Sequence, residues 1–204
     1  MLGIASASAE LDWEDRGRRL LSMLGSASDM LPCAEDLGAV PDCVPRVLSE
    51  LGIPGLRVPR WMRRWDEPGQ PFMPLSEYGE LSACTPSVHD TSTLRGWWER
   101  EDGRDAFVEA YCPELSPASA LLDPEREGAV LAALAKAPSK LFVVQLQDLL
   151  DLSDRYRSDD PSDDRVNVPG SVDEFNWTWR MGPGAEELER DRAWTALVRA
   201  GCGR

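Results

Sequence analysis

The stretch "LPCAEDLGAVPDCVPRVLSELGIPGLRVPRW", residues 31–61, carries the clearest pattern of strands and helices in the chain. It opens with a short apolar run that predicts a buried strand and delivers Glu35 and Asp36 to its carboxyl end. The next apolar residues recur at helical spacing, which predicts a helix that Gly52 ends: Val44, Val47, Leu48 and Leu51. "GLRVPRW" then indicates a second strand. Strand, helix and strand in this order predict a βα unit of a parallel sheet.

The same alternation continues on both sides of this stretch. Before it, leucines recur at near-helical spacing from Leu11 to Leu24 and predict an amphipathic helix that stops at Gly25. After it, "LSACTPSV" predicts a strand that ends before His89 and Asp90. "STLRGWWERE" then predicts a helix, which Thr91 or Ser92 caps.

Three further elements are predicted in the second half of the chain. Asp123 followed by Pro124 indicates a helix start, and that helix runs to Lys136. "KLFVVQL" predicts a strand buried on both faces, since its apolar residues are consecutive and two of them are β-branched. "AEELERDRAWTALVRA" predicts a terminal helix.

These elements give an α/β fold with about four parallel strands alternating with helices, about half the strands of a (β/α)8 barrel. No internal repeat and no domain boundary is visible, so we expect a single domain over residues 1–204. Four open parallel strands expose two edges and one sheet face. The pattern therefore predicts either another architecture or a missing partner segment.

Composition excludes several classes of function. Thirty-six acidic against twenty-two basic side chains give a net charge of -14, which repels phosphate backbones and anionic membrane surfaces. We therefore expect neither a nucleic-acid partner nor a membrane partner. No segment approaches the roughly 20 apolar residues of a spanning helix, and the start lacks a signal pattern. The expected location is the cytoplasm.

The five cysteines are odd in number and scattered, which favours free thiols over a disulfide framework or a zinc site. With one histidine and no glycine-rich phosphate loop, the chain offers no pattern for metal or nucleotide chemistry. We expect neither a metal nor an organic cofactor.

Two acidic clusters follow predicted strands: Glu35 with Asp36, and His89 with Asp90. Carboxylates on one rim suit glycoside cleavage, in which an acid protonates the leaving oxygen while another carboxylate stabilises an oxocarbenium-like centre. The alternative is that each is a solvated side chain. Asn167 and Asn176 have two interpretations as well, since they either bind hydroxyls or close turns.

Eight tryptophans are more than core filling demands, and indole faces pack well on sugar rings. Trp13 and Trp194 are predicted to be helix core residues. Of the adjacent Trp97 and Trp98, at least one is expected to pack against the sheet.

Five strings in order resemble the 4-alpha-glucanotransferases, also called amylomaltases or disproportionating enzymes, of glycoside hydrolase family 77. They are "LPCAEDLG", "LGIPGLRV", "SVHDTSTLRGWW", "LFVVQLQDLL" and "RVNVPGSVDEFNWTWRM", between about Leu31 and about Met181. The resemblance implies a (β/α)8 barrel. It also implies a retaining enzyme that moves part of an α-1,4-glucan to the 4-hydroxyl of glucose or of another maltooligosaccharide.

The resemblance also implies roles for single residues. Glu35 in "AEDLG" corresponds to the general acid/base. Asp90 corresponds to the carboxylate that holds the reacting sugar and stabilises the transition state. His89 and Asn167 are implied as substrate-binding residues, and no cofactor is implied.

One departure from the family pattern is expected to matter. The family's nucleophilic aspartate lies in an Arg-x-Asp motif on an earlier strand, and nothing before Glu35 matches it. The chain is therefore expected to be the carboxyl-terminal part of the barrel, inactive without an amino-terminal segment. The alternatives are a truncated, non-catalytic remnant with weak glucan binding at most, and hydrolysis of the same bond.

Overall fold

The computed structural model describes residues 7–38 and 40–203 of the chain. Its three short strands are separated by helical segments. In chain order the elements are α1 (Ala7–Ser26), α2 (Cys43–Glu50), β1 (Gly55–Arg57), β2 (Ser82–Cys84), α3 (Leu94–Arg100), α4 (Arg104–Tyr111), α5 (Pro124–Leu134), β3 (Leu141–Phe142), α6 (Leu146–Leu150), α7 (Ala185–Arg190) and α8 (Arg192–Gly201).

A parallel sheet with the strand order β1-β2-β3 lies at the centre of this arrangement. Ala34 extends the sheet beyond β1 through a single parallel bridge to Gly55. The amide of Ala34 donates to the carbonyl of Pro54 over 2.9 Å, and the amide of Leu56 donates to the carbonyl of Ala34 over 3.0 Å. The predicted α/β class with parallel strands is confirmed, although the first predicted strand is reduced to one bridge.

Strand β3 corrects the prediction of a fully buried strand. Its two residues are only half-buried, and Val143 directly after it is 54% exposed. Along the described part of the chain, no further strand pairs with the outer edge of β3. The consecutive apolar residues of β3 therefore lie at an open edge of the sheet, where they are only partly covered.

Side-chain caps set the starts of three helices. Asp123 accepts from the amide of Arg126 over 2.9 Å and starts α5, as predicted. Helix α3 is capped by Thr93, which accepts from the amide of Gly96, so the predicted caps Thr91 and Ser92 are wrong. Asp191 caps α8 in the same way and splits the predicted terminal helix into α7 and α8.

The core packs α3, α4 and α5 together. Trp97 and Trp98 are both buried in it, with 4% and 0% of their surface exposed. Trp13 on α1 is 48% exposed, so its prediction as a core residue is wrong. Trp194 is half-buried, and its indole N–H donates to the carbonyl of Leu149 over 2.9 Å.

Three of the five thiols are buried (Cys43, Cys84 and Cys112). Burial raises the pKa of the Cys84 thiol to about 12, which keeps it protonated. Where the structure is described, every helix is too short or too polar to span a lipid bilayer.

Candidate active site

The segments that follow the parallel strands emerge at one edge of the sheet. Glu35 lies directly after the bridge at Ala34, Trp61 lies shortly after β1, and Asp90 follows β2. All three line one groove of about 1040 Å³. Glu35 and Asp36 of the first acidic cluster and Asp90 of the second therefore face the same space although they are far apart in the sequence.

The adjacent carboxylates Glu35 and Asp36 have different surroundings. Asp36 has a side chain only 5% exposed, and it accepts from the amide of Leu56 over 2.7 Å and from Arg57 over 3.0 Å. Glu35 is exposed, and it has no hydrogen-bond or ion-pair partner among the described residues. Asp36 thus braces the first segment against β1, while Glu35 is free to contact a ligand.

Gly55 makes this bracing possible. A Cβ atom at residue 55 would lie 2.4 Å from Oδ2 of Asp36, which is far inside van der Waals contact. Only a residue without a side chain lets the Asp36 carboxylate reach the amide of the next residue, Leu56. The glycine after Pro54 is therefore part of the support of the Glu35 segment.

His89, Asp90 and Asn167 meet at the same edge. The side-chain amide of Asn167 donates to Oδ1 of Asp90 over 2.6 Å, and the amide N–H of Asn167 donates to the carbonyl of His89 over 3.1 Å. Nε2 of His89 lies 3.5 Å from Oδ1 of Asp90. The side chains of Asn167 and His89 both contact Oδ1 of Asp90. The other carboxylate oxygen, Oδ2, has no protein partner among the described residues.

The loop that follows Asn167 folds back on His89. Trp177 has a left-handed backbone with a φ of 65°, and its amide donates to the carbonyl of Val166 over 2.8 Å. Its ring lies 5.2 Å from the imidazole of His89, centroid to centroid. Asn176 accepts from the amide of Val168 and donates to Ser171, so it closes a turn. Neither Asn167 nor Asn176 is among the residues that line the groove, but Asn167 contacts Asp90, which does.

Two buried charges hold the loop of His89 and Asp90 from behind. Arg60 is 5% exposed and donates to the carbonyls of Pro86, over 3.0 Å, and of Ser92, over 3.1 Å. Asp148, fully buried, accepts from the hydroxyl of Ser87 and from the amide of Leu94. The loop is therefore clamped at both of its ends.

Burial shifts the pKa of both charged groups towards their neutral forms. It lowers the pKa of Arg60 to about 10 and raises that of Asp148, while the attraction between the two opposes both shifts. Neither Arg60 nor Asp148 was predicted from the sequence. Nothing in the sequence around an isolated arginine after a strand, or around an aspartate in a later helix, indicates that both bind the same loop.

The tryptophans differ in whether the indole N–H donates a hydrogen bond within the protein. Trp98, Trp179 and Trp194 each donate to a protein oxygen. Trp61 and Trp65 line the groove, are 39% and 57% exposed, and donate to none of the described residues. The first set is used in folding, and the second leaves both ring face and N–H available.

Known proteins are similar in sequence to this chain over most of its length. The model of glycoside hydrolase family 77, 4-alpha-glucanotransferase, matches residues 5–185. A 4-alpha-glucanotransferase of Chlamydia muridarum is 35% identical over 194 residues, which is 92% of this chain and 35% of that protein. One of rice, Oryza sativa subsp. japonica, is 34% identical over 188 residues, 92% of this chain and 20% of the relative. The chain thus spans about a third or less of these relatives.

Two solved structures share the fold. The amylomaltase of Streptococcus agalactiae in complex with acarbose is 26% identical, with a TM-score of 0.61 over 83% of this chain and 30% of that one. The amylomaltase of Corynebacterium glutamicum has a TM-score of 0.61 at 18% identity, over 89% of this chain and 30% of that one. The observed sheet is therefore part of a (β/α)8 barrel.

Proposed function

Because this chain belongs to the 4-alpha-glucanotransferases of glycoside hydrolase family 77, we propose that it acts on α-1,4-glucans and supplies the acid/base part of a transfer to the 4-hydroxyl of an acceptor sugar. The observation that carries the proposal is that Glu35 and Asp90 line one groove at the carboxyl edge of the sheet. A general acid and a carboxylate that stabilises positive charge on the sugar ring are two of the groups that cleavage of a glycosidic bond uses. Residues 1–204 form, on this proposal, part of a catalytic domain.

Glu35 is the general acid/base in this mechanism. It first gives a proton to the oxygen of the leaving glucan, and it then takes one from the 4-hydroxyl of the acceptor. Two features support the role: the side chain is exposed at the groove, and it has no partner within the described structure that would hold its oxygens elsewhere. Asp36 beside it is excluded from the role, because Leu56 and Arg57 occupy its carboxylate.

Asp90 holds the reacting sugar. Asn167 engages one carboxylate oxygen and leaves the other to accept hydroxyl protons of the substrate. As the glycosidic bond breaks, positive charge develops on the sugar ring, and the negative charge of Asp90 stabilises it. His89, half-exposed beside this carboxylate, donates to the same sugar.

Retention requires a nucleophile that forms a glycosyl-enzyme intermediate. Glu35 cannot take this part while it serves as the acid, and no Arg-x-Asp motif precedes it in the 204 residues. We therefore expect these 204 residues alone to bind glucans but to transfer them poorly. Disproportionation of maltotriose at a rate typical of enzymes, about 1 per second or faster, would contradict this expectation.

Binding of maltoheptaose, followed by isothermal titration calorimetry, tests the proposal directly. We expect saturable binding, and we expect Asp90→Asn to weaken it about tenfold because a charged acceptor of the sugar hydroxyls is lost. Glu35→Gln keeps the size of the side chain and is expected to bind within about twofold of the unchanged chain. Asp154→Asn is the matched control, since Asp154 is 86% exposed and does not line the groove.

The same titration separates the proposed glucan site from a remnant that has lost its site. A remnant that has lost its site gives no saturable heat with maltoheptaose, or its affinity for maltoheptaose changes equally with Asp90→Asn and with Asp154→Asn. Either result would refute the proposed glucan site.

A further inference from the structure

We propose that Trp65 is a stacking platform for glucan units remote from the reacting bond, so that longer maltooligosaccharides bind more tightly than short ones. The inference rests on the proposed function and adds to it a second contact region in the same groove. It concerns the hairpin of residues 62–73, which follows β1 and carries Trp65 at the start of its turn.

Backbone bonds hold this hairpin in one conformation. Arg63 and Phe72 form an antiparallel bridge, the amide of Arg64 donates to the carbonyl of Pro71 over 2.9 Å, and that of Met73 donates to the carbonyl of Met62 over 2.8 Å. The turn is closed by left-handed residues at Gly69, with a φ of 78°, and at Gln70, with a φ of 45°.

Side chains anchor the base of the hairpin to the core. Phe72 is 7% exposed and belongs to the core cluster, and the guanidinium of Arg63 lies 3.8 Å from the centre of its ring. Arg64 forms two bonds of 2.6 Å to Glu77. Because the hairpin is fixed before any ligand arrives, a contact with Trp65 requires little additional ordering.

The indole of Trp65 is largely exposed and makes no hydrogen bond within the described part of the fold. Its side chain is 57% exposed, and its N–H has no acceptor in the described part of the protein. Trp98, by comparison, is fully buried and donates to the carbonyl of Ser119 over 2.9 Å. An exposed indole on an anchored hairpin keeps both its apolar face and its donor for a ligand that has apolar faces and hydroxyls.

The shared groove connects Trp65 with the proposed glucan site. Trp65 lines the same space as Glu35 and Asp90, and this space of about 1040 Å³ reaches the upper limit of small-molecule sites, roughly 300–1,000 Å³. It therefore accommodates several sugar rings. A chain whose reacting bond lies between the carboxylates continues along the groove, where the C–H faces of later rings meet the indole.

A length series tests the proposal. The affinities of maltose, maltotriose, maltopentaose and maltoheptaose are measured by titration calorimetry for the unchanged chain, Trp65→Ala and Trp65→Phe. We expect Trp65→Ala to weaken maltoheptaose roughly tenfold and maltose by less than about twofold. Trp65→Phe retains a stacking face and is expected to keep most of the gain with length. Leu121→Ala removes an apolar side chain that is 65% exposed outside the groove, and it serves as the control.

Each outcome has a separate meaning. If Trp65→Ala keeps the full gain with length, or weakens maltose as much as maltoheptaose, the platform is refuted while the proposed function stands. If the unchanged chain binds no member of the series, the proposed function fails and the platform fails with it. Circular dichroism of both variants shows whether the exposed position was changed without loss of fold.

Discussion

Asn167 donates from its side-chain amide to Oδ1 of Asp90 over 2.6 Å and so joins two loops that lie 77 residues apart in the sequence. The bond fixes the orientation of the carboxylate and leaves its second oxygen free. The carboxylate is oriented without being buried, since the Asp90 side chain remains 40% exposed. The relationship turns an ordinary surface aspartate into an oriented acceptor at the edge of the sheet.

Asn167→Ala is expected to weaken maltoheptaose binding about fivefold to tenfold. A hydrogen bond to a charged group contributes roughly 1.5–3 kcal/mol, and part of that free energy orients Asp90 for the ligand. Titration calorimetry measures the affinity, and urea unfolding measures stability. Equal affinities in the variant and the unchanged chain would show that Asp90 is oriented without Asn167.

Gly55→Ala is expected to lower the free energy of unfolding by about 2 kcal/mol. The added Cβ would lie 2.4 Å from Oδ2 of Asp36 and would push it away from Leu56 and Arg57. Gly17→Ala is the matched control: it meets nothing within 4 Å on helix α1, so we expect a gain of about 0.5–1 kcal/mol. Urea unfolding of both variants measures the contrast, and a change of the same sign in both would contradict it.

Stability is expected to fall as pH rises through the range in which Asp151 ionises. Burial raises the pKa of Asp151 from 3.8 to about 7, although Arg95 opposes the shift. The folded state therefore binds the proton more tightly than the unfolded state. The contribution is fully present below about pH 4 and is lost as pH rises towards 7, with an upper limit of about 4 kcal/mol.

Asp151→Asn tests this pH dependence. Relative to the unchanged chain, the variant is expected to be more stable at pH 8 than at pH 5, because it never ionises. Thermal unfolding across this range measures the difference. Burial also raises the pKa of Glu127, so part of the pH dependence is expected to remain in the variant. Parallel stability curves for the two proteins would contradict the assignment to Asp151.

Arg60→Lys is expected to lower the free energy of unfolding by roughly 2 kcal/mol and to weaken maltoheptaose binding several-fold. The guanidinium of Arg60 reaches the carbonyls of Pro86 and Ser92 at the same time, and a single ammonium cannot span both. Arg19→Lys is the control, since its partner Asp15 is exposed and neither residue lines the groove, and we expect a change below about 1 kcal/mol. Similar losses in both variants would argue against a special role of the buried clamp.

Several elements were predictable because their signals lie between neighbouring residues. The cap of α5 by Asp123 uses an amide three residues away, and the apolar spacing from Val44 to Leu51 fixes one face of α2. The cap of α3 was placed one residue or more too early, since three consecutive hydroxyl residues offer the same local chemistry. Only the direction of the incoming chain selects Thr93.

The half-burial of β3 was not predictable from its apolar run. A run of consecutive apolar residues indicates that both faces of a strand can be covered, but coverage depends on elements elsewhere in the chain. Trp13 illustrates the same limit, because its helical spacing suited a core residue and yet it is 48% exposed.

Spacing and caps are local properties of the chain, so they were enough to predict most of the strands and helices and to place Glu35, His89 and Asp90 after strands. Three features came only from tertiary packing: Asp36 is bound while Glu35 is free, Asn167 meets Asp90, and Trp65 lines the same groove as Glu35 and Asp90. These contacts depend on side-chain direction and on segments far apart in sequence. Only packing of the sheet and its loops brings those segments within hydrogen-bond distance.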